Sequence, residues 1–127
     1  MKSNEEILND LGKLIVNNVV DLNYETIQKI IFDGTPNPIK KRYFEAFDKL
    51  DDNSKNLVKE FILKNSHTLI FNFLNIFEEH ECFKLIYEEN GKQINLVEIS
   101  EMLKAEPIIE NGWISRFSKY VKENEII

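Results

Sequence analysis

Apolar residues at Ile7, Leu8, Leu11, Leu14, Ile15 and Val19 alternate with Glu5, Glu6, Asn9, Asp10, Lys13 and Asn17, a spacing that predicts an amphipathic helix over residues 4–20. Asn23 is a capping residue for a second, short helix through Tyr24, Ile27, Ile30 and Ile31, which the glycine of "DGTPNP" (33–38) stops. Asn37 followed by Pro38 reads as an N-cap with proline at the first helical position. It opens a third helix striped by Ile39, Tyr43, Phe44, Phe47 and Leu50. "DDNS" (51–54) ends that helix and begins a fourth, about 54–79, with a bend allowed near Asn65–Ser66. Beyond His67 the fourth helix is apolar on nearly every side, the pattern of a helix placed at the centre of a bundle. Its polar positions Asn65, Thr68, Asn72, Asn75 and Glu79 recur at steps of three and four. That makes a narrow stripe, either the strip that meets water or one wall of a pocket.

After residue 82 the period changes from helix to strand. Asn90–Gly91 is a favoured two-residue hairpin turn because both residues tolerate positive φ. The turn pairs 89 with 92, 87 with 94 and 85 with 96, and places Phe83, Leu85, Tyr87, Ile94 and Leu96 on one face of a hairpin spanning about 83–97. Ser100 can cap a short helix "EMLKAE" ahead of Pro107, and a last helix runs from about 111 to 122 with Trp113, Phe117, Tyr120 and Val121 at core spacing. The expectation is a mainly α, single-domain bundle of five or six helices around the central apolar helix, with one β-hairpin. A lone hairpin is marginal in water. It must lean on the helices or leave an edge open for a partner or a second copy of the chain.

At 127 residues the chain is long enough to bury one core, and with 43% hydrophobic and 30% charged residues it lies far from the composition of disorder. A single cysteine leaves no internal disulfide, so nothing calls for an oxidising compartment, and a cytoplasmic home is the simplest expectation. The abundance of Asn, Ile, Lys and Glu is compatible with an A+T-rich bacterial genome. The N-terminus carries charges at positions 5, 6, 10 and 13 instead of a signal-peptide core, and the most apolar window, 69–77, is too short to cross a bilayer. A net charge of −6 argues against nucleic-acid binding, which rests on many Lys and Arg contacts to phosphate. Glu78, Glu79, Glu81, Glu88, Glu89, Glu98 and Glu101 stand against only Lys84 and Lys92, a local net of −5 that favours a partner with a basic surface.

The densest chemistry lies in "FEEHECF" (77–83). A helical zinc site needs its ligands on one face, but His80 and His67 are thirteen residues apart, about 20 Å along a straight helix. Cys82 stands among carboxylates that disfavour the thiolate. His80 has glutamate neighbours but no nucleophile at a recognisable spacing. "GTPNPIKKR" (34–42) sets three bases at a helix start but lacks a phosphate-binding glycine cradle. Trp113 and Arg116 are residue types that dominate interface hot spots, although Trp113 also sits at core spacing. No dinucleotide fingerprint, CxxC pair, Ser-His-Asp pattern or EF-hand loop appears.

No cofactor or metal is therefore expected. The leading expectation is a non-catalytic protein-binding protein. In it the acidic segment 78–101, through Glu78, Glu79, Glu81, Glu88 and Glu89 with Trp113 and Arg116, meets a basic protein partner, as in an immunity- or inhibitor-type neutraliser of a toxic enzyme. A second reading places a small ligand or catalysis in a pocket beside the central helix at His67, Asn72, Asn75 and His80. A third is self-association through the hairpin edge.

Overall fold

A computed structural model describes residues 1–127. Helix makes up 66% of the chain, joined by one two-stranded antiparallel hairpin, so the expected mainly helical architecture stands. α1 (Asn4–Ile15) starts at Ser3, whose hydroxyl accepts from Glu6 N–H while the Glu6 carboxylate accepts from Ser3 N–H, a reciprocal capping box.

The break expected after residue 20 is absent. Wide π turns at Val16–Val20 and Lys29–Asp33 carry α1 without interruption into α2 (Asp21–Gln28) and on to Gly34, and Asn23 lies inside this rod instead of capping a new helix. Residues four apart drift by about 40° around a regular α-helix. A wide turn offsets that drift and keeps Leu11, Ile15, Val19 and Asn23 along one face. Gly34 ends the rod at φ +89° with its N–H donating to the Lys29 carbonyl.

α3 (Pro38–Asp48) has the expected cap, the Asn37 side chain accepting from Ile39 N–H, but buries none of its residues. α4 (Asp52–Glu79) is unbroken and starts two residues before the expected residue 54; Asp51 is its cap and accepts from Ser54 N–H at 2.7 Å. The rod and α4 lie side by side in opposite senses. Val16 and Val20 share a core with Leu74, whereas Ile27 and Ile31 pack with Leu63 further up α4.

β1 (Ile86–Glu89) and β2 (Lys92–Asn95) pair in the expected register, Tyr87 opposite Ile94 and Glu89 opposite Lys92. Asn90 and Gly91 both take positive φ. Leu96 N–H donates to the Leu85 carbonyl, and Leu96 enters the core. Phe83, expected on the packed face, is exposed because the chain turns at residues 81–83 before the ladder begins. Asn95 caps the single turn α5 (Leu96–Ile99), and Ser100 donates its hydroxyl to Glu106 instead of capping a helix over 101–106. α6 (Trp113–Phe117) is shorter than the periodicity predicts. Ser118 leaves the helical conformation to donate its hydroxyl to Asp21, and the remaining chain crosses back over the rod to bury Ile126.

Candidate functional site

α4 is central but wrapped on one side only. Leu63, His67 and Leu74 are buried, whereas Leu69 is 62% and Phe73 57% exposed. Along the rod, Leu14, Val19 and Leu22 are likewise exposed. Between these two lips runs an open groove with a cavity volume of about 560 Å³, floored by Leu11, Ile15, Val20, His67, Ile70 and Leu74 and closed at one end by Leu85 of the hairpin approach. Both lips are free of charge. Neither 14–20 nor 65–77 contains a single Asp, Glu, Lys or Arg, in a chain where 30% of residues are charged. The same charge-free run also predicts central burial, which is why the open face was not legible in the pattern.

Two polar side chains of the groove are directed at backbone. Ser66 donates to the Ile62 carbonyl at 2.7 Å, and His67 Nδ1 lies 2.8 Å from the Ile126 carbonyl. A carbonyl only accepts, so this contact fixes the proton of neutral His67 on Nδ1. Nε2 is buried without a partner. Burial is the largest influence on the ring and pulls its pKa below the ordinary value, against the opposing pull of the Ile126 and Glu125 carbonyls and the Glu125 carboxylate. The unfolded chain therefore binds more protons than the folded one as pH falls below about 6.5, the ordinary histidine value. Stability is expected to be full above that pH, to decline on acidification and to level off below the folded pKa. Urea midpoints from pH 8 to pH 5 should show this slope in the wild type and its loss in His67→Gln.

Of the four pocket candidates, only His67 borders the groove. Asn72 is exposed outside it, and Asn75 accepts from Lys104 Nζ at 2.8 Å. His80 is the exposed C-cap residue just past α4, its N–H donating to the Ile76 carbonyl. The asparagine stripe is thus not the wall of a pocket: it faces solvent and the 103–105 turn.

The acidic candidates divide in the same way. Glu78 accepts from Lys104 N–H at 2.9 Å and lies 3.5 Å from Lys104 Nζ, so with Asn75 it anchors that turn to α4. Glu89 accepts from the Tyr87 hydroxyl, which holds the carboxyl below its usual range and pushes the phenol up. Glu88 makes only a long contact to Gln93, while Glu79, the last residue of α4, and Glu81, in the turn that follows, are exposed. Cys82 is exposed among them.

Trp113, a partner-facing candidate, is wholly buried against Gly12. Core spacing prevailed at that residue. Arg116 is exposed but engaged, donating from Nη1 to Asn9 and from Nε to the Asn111 carbonyl. No cluster of three His, Cys, Asp or Glu side chains is placed to hold a metal ion, and no helix is long and apolar enough to cross a membrane. No family model matches the chain, and neither a curated protein nor a solved structure matches it.

Proposed function

We propose that this chain is a non-catalytic protein-binding protein whose working surface is the apolar groove between the N-terminal rod and α4. The observation that carries this reading is the pair of charge-free lips with Leu69 and Phe73 standing out into solvent. Interface centres are depleted of charge and enriched in large apolar side chains, whereas a monomer gains nothing by exposing a contiguous patch of them. Chemistry is disfavoured by the same geometry. Ser66 and His67, adjacent in sequence, spend their donors on separate backbone carbonyls and form no nucleophile–base pair.

Glu79 and Glu81, at and just past the C-terminal end of α4, favour a second contact, to which a basic protein would be steered. Neutralising a toxic enzyme by covering its basic cleft is one concrete version of that contact.

The test is capture on immobilised protein, comparing wild type with Leu69→Glu/Phe73→Glu and with Glu79→Lys/Glu81→Lys. Loss of a stoichiometric partner in the groove variant at any salt concentration is the expected result. Loss only in the acid-reversal variant, and only at low salt, would move the site to the acidic end. Equal retention by all three proteins would sink both surfaces.

A further inference from the structure

We infer that the occupant of the groove is a second copy of this chain, packed about a two-fold axis so that two antiparallel helix pairs close into a four-helix bundle. The inference rests on reading the groove as a protein interface, and it is argued from which side chains the face presents. Across the lips the exposed residues are Leu14, Asn18, Val19, Leu22, Asn65, Leu69 and Phe73. Each can be satisfied by its own kind. Apolar groups pack on apolar groups, and an amide both donates and accepts, so an asparagine can pair with its symmetry mate. A charged side chain cannot do this, and none is present between residues 14 and 20 or between 65 and 77. A foreign partner chosen by charge would find nothing to recognise on this face, whereas a molecule of net charge −6 can meet itself here without opposing like charges.

Size sets the strength of the contact. Asn65, Leu69, Phe73 and Ile76 follow steps of three and four along the charge-free part of α4, an exposed ridge of about 17 Å at 1.5 Å per residue. Two adjacent helices present a face about 20 Å wide. The footprint is then roughly 300–350 Å² a side, or about 600–700 Å² in total, at the small end of the range and fitting a weak, reversible dimer. Glu79 and Glu81 lie at and just past the C-terminal end of α4, so repulsion selects the axis that crosses the rods and sets the two acidic ends at opposite ends of the bundle. Such a dimer buries its apolar faces and still offers two acidic ends.

Sedimentation equilibrium of the full chain from about 1 to 100 µM, the range that reports a micromolar dissociation constant, decides the matter. The expected result is twice the 15.0 kDa chain mass, little changed by salt. Two variants on different helices, Leu69→Glu/Phe73→Glu on α4 and Leu14→Lys on α1, should each give folded monomers by circular dichroism. These positions are exposed, and using two helices keeps the test alive if one variant misfolds. A wild-type monomer at the highest concentration overturns the inference, as does a dimer that persists in both variants, which would move the contact to the hairpin edge. A monomer that still captures another protein through the groove ends the second-copy inference and leaves the proposed function intact; a monomer that captures nothing ends both.

Discussion

Gly12→Ala is expected to destabilise the protein by about 2–3 kcal/mol, near the upper end for a single added methyl group. A Cβ on Gly12 would lie 2.5 Å from Trp113 Cδ1 and Cγ and 2.7 Å from Cδ2, inside the van der Waals surface of the indole. The clash has no cheap outlet, because Trp113 is wholly buried and belongs to the same core as Ile7, Val16 and Leu103. Alanine is the better helix former by about 1 kcal/mol, so the steric cost has to exceed that gain before any loss appears. Thermal unfolding should therefore fall by roughly 8–12 °C, at about 4 °C per kcal/mol for a domain of this size. A second substitution identifies the cause. In a Trp113→Leu background, itself destabilised by loss of the indole, the same Gly12→Ala change should cost under about 0.5 kcal/mol, because the smaller side chain leaves room. Equal costs in both backgrounds would refute the close approach of helix to indole.

Gly12 also shows why part of the fold was legible and part was not. A glycine inside an amphipathic pattern signals close packing, but nothing along the chain says that the partner is a tryptophan near the other end. Features set by neighbouring residues were readable: the Asn37–Pro38 start of α3, the Gly34 stop and the Asn90–Gly91 hairpin with its register. Those set by tertiary contact were not. The rod continues past residue 20 because widened turns, invisible to a 3.6-residue template, keep its buried face in line. α6 stops early because Ser118 is needed at Asp21. The candidate site was misread for a related reason. An apolar stretch without charges looks the same in sequence whether its own chain or another molecule covers it, so 65–77 predicted a wrapped helix where Leu69 and Phe73 stand exposed. Among the polar candidates, Glu78, one residue before the end of α4, proved to be an anchor for Lys104, and the free charge falls to Glu79 and Glu81.

Asp21 was given no role by its sequence context, and its replacement carries the other large expected effect. It is 4% exposed, and both carboxylate oxygens are used. Oδ1 accepts from the Ser118 hydroxyl at 2.6 Å and Oδ2 from Lys119 N–H at 3.1 Å. Hydrogen bonds to a charged group contribute about 1.5–3 kcal/mol each. Removal of the carboxylate also relieves its own burial, so the net cost of Asp21→Ala is expected at about 2–4 kcal/mol. The loss should be local before it is global. The chain after Ser118 is held by a short series of contacts: Tyr120 stacked on Tyr24 at 5.0 Å, its hydroxyl donating to Glu25, Glu125 at 4.0 Å from Lys59, and buried Ile126. Without the Asp21 clasp, amide exchange at Lys119, Tyr120 and Val121 should quicken well before that of α4. The released tail would also take the Ile126 carbonyl away from His67 Nδ1 and open the ring to water. The acid-side loss of stability assigned to His67 should then shrink in Asp21→Ala, since a hydrated imidazole titrates near its unfolded value. A variant that loses stability but keeps the full pH slope would mean that the clasp and the histidine are not mechanically joined.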